Sequence, residues 1–297
     1  MTAESFPLTW LYAPGDRPEV VGKALACGAD VVLIDLEDAV PPDRKDYARA
    51  ATAERLTQRQ PVPVHVRVNA LDGPWLEADL KALTALPGLS GLRLPKVTSP
   101  ADVVRVAERS APAEGGTRTE GGTRAEGGTR AEGGAIPLHA LLETALGVEQ
   151  AFAIASAHPD VRGVSLGETD LRADLGVRED AGLDWSRARV VVAARAARLP
   201  PPTQSIHPDI RDLEGLAASC ARGRALGFLG RAAIHPRQLP VIERAYLPTP
   251  QEIATAEEIV RAAARDPGAQ ALPDGRFIDT AVVAGAQRTL ALARRLS

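Results

Sequence analysis

The side chains most suited to chemistry in this 297-residue chain are acids, and they recur where short apolar runs end. Asp35, Glu37 and Asp38 lie at the end of the run 30–36, Glu143 follows 137–142, and Glu168 and Asp170 follow 161–166. Cations take similar places: Arg67, with Asn69, closes 62–69, and Lys96 closes 91–97. If neighbouring runs are neighbouring strands, Glu143 and Asp170 converge. Two hard oxygen ligands with no Cys or paired His nearby suit Mg²⁺, which keeps several waters and takes further ligands from substrate oxygens. The same two residues also suit the start of the helical stretches TALGVEQ and LRADLG, where an acid caps the helix and offsets its dipole. Spacing leaves both uses open.

Arg67 ends a run that reads as buried strand. Its fork of donors fits a substrate carboxylate through two hydrogen bonds, and it equally fits an ion pair with an acid on the next strand, such as Glu37. In the segment DLEDAV, Asp35 and Glu37 share strand parity, whereas Asp38 points the other way. Three acids so close repel one another, so a cation belongs among them: metal-bound water, Lys96 or Arg67. The expected role of this trio is to support the groups that touch a ligand, with helix capping as the plainer use of Asp38. The histidines, at 65, 139, 158, 207 and 235, form no HxH or HxxxH pair, so a histidine metal site is not expected. His207 and His235 each precede proline and suit turns. With no GxGxxG, Walker A or GxSxG element, dinucleotide, P-loop and serine-hydrolase chemistry lose support.

The elements that must carry these residues alternate regularly. Strand-like runs at 8–13, 30–36, 62–69, 91–97, 137–142, 161–166, 203–207 and 230–235 are separated by helical stretches such as PEVVGKALACG, ADLKALTAL, GVEQAFAIASA, SRARVVVAARAARL and EGLAASCARGRALG. Eight strands alternating with helices predict a parallel sheet closed as a (β/α)₈ TIM barrel, an α/β fold whose reactive residues gather at the C-terminal strand ends. The expected domains are a barrel over 1–247 and a C-terminal helical extension over 248–297, an arm suited to packing on a neighbouring subunit. Residues 114–134 repeat EGGTR with a period of six and carry nothing more apolar than alanine, as expected of a surface loop expansion.

Composition narrows the class. The balance of 35 Lys+Arg against 38 Asp+Glu, a net charge of −3, leaves no basic excess for nucleic acid or a membrane surface. No apolar run approaches the ~18 residues that span a bilayer, and the N-terminal MTAESFPLTW does not read as a secretory signal. Cys27 and Cys220 are too few and too far apart for a disulfide framework or a zinc–thiolate site, so a reduced, cytoplasmic protein is expected.

In order along the chain, YAPGDRPEVVGKA, DVVLIDLEDAV, VRVNALDGPWLEADL, LRLPKV, LLETALGV, SLGETDL and GFLGRAAIHPRQL resemble the citrate lyase β-subunit (CitE-like) family, within the wider group of malyl-CoA lyases and HpcH/HpaI aldolases. The resemblance implies the (β/α)₈ barrel, a homotrimer or larger homo-oligomer, and Mg²⁺ held by Glu143 and Asp170. It implies that Arg67 binds the carboxylate of oxaloacetate or glyoxylate, with the backbone N–H groups of Gly167, Glu168, Thr169 and Asp170 holding the same ligand. Arg17 and Lys23 match the region that meets the CoA-like arm, and Asp279, in DGRFID, matches an aspartate that reaches a neighbouring subunit's site. The implied reaction is reversible carbon–carbon cleavage of a citryl- or malyl-type 3-hydroxyacyl thioester, on CoA or an acyl carrier, to an acetyl thioester and a 2-oxo acid. Arg67, Lys96 and Asp279 make up the catalytic group in this reading, with Asp279 as the acid that protonates the acetyl carbon. The seventh run, LPPPTQSIHPDIRD, lacks a glycine and an aspartate common in relatives. Two other readings remain: an aldolase acting on free 2-oxo acids, and a barrel that binds a 2-oxo acid without turnover.

Overall fold

The computed structural model describes residues 6–111, 134–265, 268–272 and 275–296. The repeat at 114–134 lies, except for its last residue, outside them. Two compact units emerge: Pro7–Glu243, and the residues from Arg244 onward together with Phe6.

The first unit is built on seven parallel strands: β1 (Thr9–Pro14), β2 (Val31–Asp35), β3 (Val64–Arg67), β4 (Gly91–Leu94), β5 (Leu138–Leu142), β6 (Val161–Leu166) and β7 (Arg231–Ala233). They lie in the order β6-β5-β4-β3-β2-β1-β7, so consecutive strands are neighbours from β1 to β6. Between them run α1 (Pro18–Leu25), α2 (Lys45–Leu56), α3 (Leu76–Leu83), α4 (Pro100–Arg109), α5 (Ala145–Glu149), α6 (Ala151–Ala155), α7 (Glu168–Leu175), α8 (Asp184–Ala196) and α9 (Leu213–Leu226). The stretch expected as one helix, GVEQAFAIASA, is two, α5 and α6, meeting at Gln150.

The sheet is curled. Trp10 on β1 and His139 on β5 have ring centroids 6.0 Å apart, although β2, β3 and β4 stand between their strands. In a flat sheet four strand spacings of about 4.8 Å would separate them by about 19 Å. Alternation explains why the strands are nearly all buried. One face carries Leu11, Ala13, Val32, Ile34, Val64, Val66, Leu92 and Leu94, all buried. The concave face carries Trp10, Val31, Leu33 and Ala232 as an apolar cluster, packed against Tyr12 and Ile206. His65 and His139 fill the rest of the interior, their rings 4.7 Å apart. Glycines on the next strands make room for them: a methyl group at Gly91 would lie 2.7 Å from the His65 ring, and one at Gly163 2.6 Å from His139.

Closure into eight strands is where the expectation needs correction. The run 203–207 forms no strand among the described residues. Gln204 alone makes a parallel bridge to Arg231, its N–H donating to Gly230 O and its carbonyl accepting from Ala232 N–H. Prolines at 200, 201, 202 and 208 bracket the segment, and proline has no N–H to donate to a ladder. A side chain supplies one tie to the β6 end, Glu168 N–H donating to Ser205 Oγ at 3.2 Å. The architecture is therefore an α/β fold with a curled seven-stranded parallel sheet.

α10 (Leu239–Tyr246) follows β7. The second unit pairs α11 (Pro250–Arg265) with α12 (Thr280–Ala293), and a short antiparallel ribbon of β8 (Gln270–Ala271) and β9 (Phe277–Ile278) links them. Arg276 pairs with Glu258, and Arg295 donates to Phe6 O at 2.8 Å.

Candidate active site

A pocket of about 440 Å³ opens at the C-terminal ends of the strands and is lined by Asp35, Arg67, Glu143 and Asp170, among others. In-register pairing puts its charged residues side by side: Asp35 opposes Arg67 across β2 and β3, and Arg67 opposes Arg93 across β3 and β4.

Arg67 is committed to acids. Its Nε and Nη2 donate to the two Asp35 oxygens at 2.8 and 2.6 Å, and its Nη1 lies 2.9 Å from Glu37 Oε2. The group sits 5.4 Å from the Tyr12 ring centroid, and the acids raise its pKa well above the usual arginine value. Asp35 also accepts from the N–H groups of Glu37 and Ala39 at 2.9 and 3.2 Å, which fixes the turn after β2. The cations among the three acids are Arg67 and Lys96, whose ammonium pairs with Glu37 and lies 3.4 Å from Asp38. Glu37 is buried and Asp38 exposed, as opposite directions require. Lys45, which sequence reasoning passed over, is buried beneath this turn and donates to Leu36 O and Glu37 O, both at 2.7 Å.

Lys96 adopts φ +49°, in the left-handed region that non-glycine residues rarely occupy. The turn aims its N–H at Glu143 Oε1, 2.6 Å away, while its side chain reaches Glu37. One residue thus joins the two acid groups. The cap of α5 is Thr144, whose hydroxyl accepts from Gly147 N–H at 3.1 Å, so Glu143 is not used as the cap. Glu143 is buried against Gly167, where any methyl group would overlap its carboxylate. Burial pushes its pKa up to about 7; the charge of nearby Asp170 adds to this, and the Lys96 N–H and Arg67 oppose it.

Asp170 stands in the first turn of α7 and faces the same pocket. Among the described residues no group of three or more His, Cys, Asp or Glu side chains is arranged to hold a metal alone. Two acids on one cavity, one of them pushed towards its neutral form chiefly by burial and further by its neighbour's charge, are nevertheless a donor set that a hard divalent cation fits. Water and ligand oxygens would complete its shell.

The loop Gly167–Asp170 is only partly available to a ligand. Gly167 N–H donates to Leu142 O at 3.1 Å and Glu168 N–H to Ser205 Oγ, whereas Thr169 and Asp170 line the pocket and their N–H groups belong to the first turn of α7, which leaves such groups without a partner within the helix. The Glu168 carboxylate is clamped by buried Arg187 at 3.0 and 2.6 Å. That arginine also holds Asp180 and Asp184, tying α7 to α8.

Arg17 and Lys23 are exposed, at the start and in the last turn of α1, and neither lines the pocket. Asp279 lies in the second unit, where its carboxylate caps α12 by accepting from Val282 N–H at 2.9 Å. His235 Nδ1 accepts from Arg237 N–H at 3.1 Å, the turn-shaping use expected of it. Sequence reasoning missed Tyr12, Arg93 and Ser165, all of which line the pocket. Their signal was a polar residue at alternate positions inside apolar runs, as in LRL and GVSL.

Comparison with known proteins adds a family. Residues 8–236 match the model of the HpcH/HpaI aldolase/citrate lyase family. The chain is 32% identical over 296 residues to a (3S)-malyl-CoA thioesterase of Cereibacter sphaeroides (strain ATCC 17029 / ATH 2.4.9), covering 97% of this chain and 94% of that protein. It is 33% identical over 307 residues to citrate lyase subunit beta of Leuconostoc mesenteroides subsp. cremoris, covering 99% and 95%. Among solved structures it resembles the CitE protein of Mycobacterium tuberculosis in complex with magnesium, acetoacetate and coenzyme A, with a TM-score of 0.77, 31% identity, and 98% and 99% of the two chains covered.

Proposed function

The chain belongs to the HpcH/HpaI aldolase/citrate lyase family, and from that membership we propose that it is a Mg²⁺-dependent carbon–carbon lyase. Its substrate is a citryl- or malyl-type 3-hydroxyacyl thioester, cleaved reversibly to an acetyl thioester and a 2-oxo acid. The observation that carries this reading is the pairing of Glu143 and Asp170 on one pocket with Arg67.

Glu143 and Asp170 would hold the ion. Bound there, Mg²⁺ would polarise the hydroxyl and carboxylate oxygens of the oxo-acid half. Lys96 N–H and the backbone of Gly167 keep Glu143 turned into the cavity. Arg67, oriented by Asp35 and Glu37, faces the substrate carboxylate and fixes its position. Thr169 and Asp170 N–H groups, at the positive end of α7, favour the same anion. Loss of the hydroxyl proton and rupture of the C–C bond release the 2-oxo acid and leave the enolate of the acetyl thioester. An acid must then protonate that carbon, and Asp279 of a neighbouring subunit is the group assigned to it. Arg17 and Lys23 are assigned to the anionic arm of the thioester, in a homo-oligomer.

Similarity to malyl-CoA thioesterases supports a second reading, hydrolysis of the thioester with the carbon skeleton intact. Titration calorimetry should show Mg²⁺ binding to the wild-type protein and at least about tenfold weaker binding to Glu143→Ala and Asp170→Asn, the scale expected for loss of a charged ligand. Unchanged affinity in both variants would refute the ligand assignment.

A further inference from the structure

Of the two guanidinium groups that line the pocket, only one has acids to neutralise it. Arg67 is held by Asp35 and Glu37. Arg93, beside it on β4, is 3% exposed and forms no ion pair among the described residues. Its Nη1 donates to Ser165 Oγ at a long 3.4 Å, and its Nε and Nη2 have no hydrogen-bond partner. The Trp10 ring centroid lies 4.5 Å from its guanidinium carbon. Burial pulls its pKa below the ordinary arginine value, and among ionisable groups only the Tyr12 phenol opposes the shift.

A buried cation without a counter-ion is costly, and arginine cannot readily relieve the cost by giving up its proton. Such a group is stabilised when an anion arrives. The anion would enter a prepared place. Arg93, Ser165 and Tyr12 all line the pocket, and the Tyr12 phenol feels the charges of Arg67, Arg93, Asp35 and Glu143 together. Arg93 therefore lines the same compartment as the carboxylates assigned to the cation, with its unpartnered donors buried beside it.

We infer that Arg93, with the hydroxyl groups of Ser165 and Tyr12, forms a second carboxylate subsite that selects 2-oxo acids carrying a distal carboxylate. The inference rests on the lyase reading and narrows its substrate. The oxo-acid half of a citryl-type thioester is a dicarboxylate, whereas that of a malyl-type thioester is glyoxylate, which has no second carboxylate. Arg93 accordingly favours the citryl type.

Pyruvate differs from oxaloacetate only by the distal carboxylate, so the pair isolates the subsite. With Mg²⁺ present, calorimetry on freshly dissolved acids should show the wild-type protein binding oxaloacetate at least about tenfold more tightly than pyruvate, the scale of hydrogen bonds to a charged group. Arg93→Met should abolish the difference while leaving pyruvate affinity within about twofold, and Arg93→Lys should keep part of it. Equal affinities in the wild-type protein would overturn the inference without recourse to any variant. An equal weakening of both acids in Arg93→Met would also overturn it, because that is the mark of a structural role. If neither acid binds the wild-type protein, the lyase reading itself falls and takes the subsite with it.

Discussion

Glu143 is the residue on which most of the site converges, and its environment makes a prediction free of any metal. In the folded chain its carboxyl group titrates at about 7, whereas in an unfolded chain a glutamate titrates near ~4.3. Between those values the native state holds more protons than the unfolded one, so metal-free stability falls as pH rises through that window and levels off above it. Denaturant midpoints of chelator-treated wild-type and Glu143→Gln proteins should therefore diverge from pH 5 to pH 8, the wild type losing ground to the variant. Parallel curves would show that Glu143 is not the strained group. Gly167→Ala pushes a methyl group into the same carboxylate and should destabilise the fold by about 1–3 kcal/mol while weakening Mg²⁺ binding. At this scale the sequence was legible where reactive residues end apolar runs, as at Arg67, Glu143 and Asp170. It offered Arg67 as the partner of an acid on the next strand and as a cation among Asp35, Glu37 and Asp38, but it could not show that Asp35 takes two of its donors, because that pairing depends on strand register. It was silent on Arg93, which looks like any polar residue of a strand until the sheet curls around it.

Among elements, six of the eight strand-like runs became consecutive neighbours in the sheet, and the last became β7. The run 203–207 did not, since the prolines around it remove the donors that a ladder needs. Alternating apolar residues reveal that a segment is buried, but not whether its N–H groups find partners. The link between α7 and α8 was invisible for a similar reason: Arg187, Glu168, Asp180 and Asp184 are spread over 168–187, and only the fold brings them together. Arg187 is 4% exposed, so Arg187→Leu would take from Glu168 the cation that clamps it, while Asp180 and Asp184 would keep Arg222. A loss of about 3 kcal/mol is expected for breaking such a buried pair, read as a shift in the urea midpoint. A change within about 0.5 kcal/mol would place the cluster with ordinary surface ion pairs.

At the scale of the whole molecule, the proposed acid and the proposed metal ligands belong to different compact units, Asp279 in the second and Glu143 in the first. If Asp279 serves a neighbouring subunit, Asp279→Asn and Glu143→Ala chains should each be inactive alone yet regain part of the activity when co-expressed as mixed oligomers. A mixture that stays inactive would confine Asp279 to some other role. Asp279→Asn alone should still bind oxaloacetate, because the substitution removes a proton donor and leaves the pocket of the first unit untouched. Whether the enzyme breaks a carbon–carbon bond is decided by its products. Purified protein would be incubated with Mg²⁺ and citryl-, malyl- or citramalyl-CoA, with a chelator control, and the products followed by mass spectrometry. Acetyl-CoA and a 2-oxo acid are expected from at least one thioester, and their formation is lost on chelation. Free CoA with an intact hydroxy acid, or no product from any of the three, would contradict carbon–carbon cleavage.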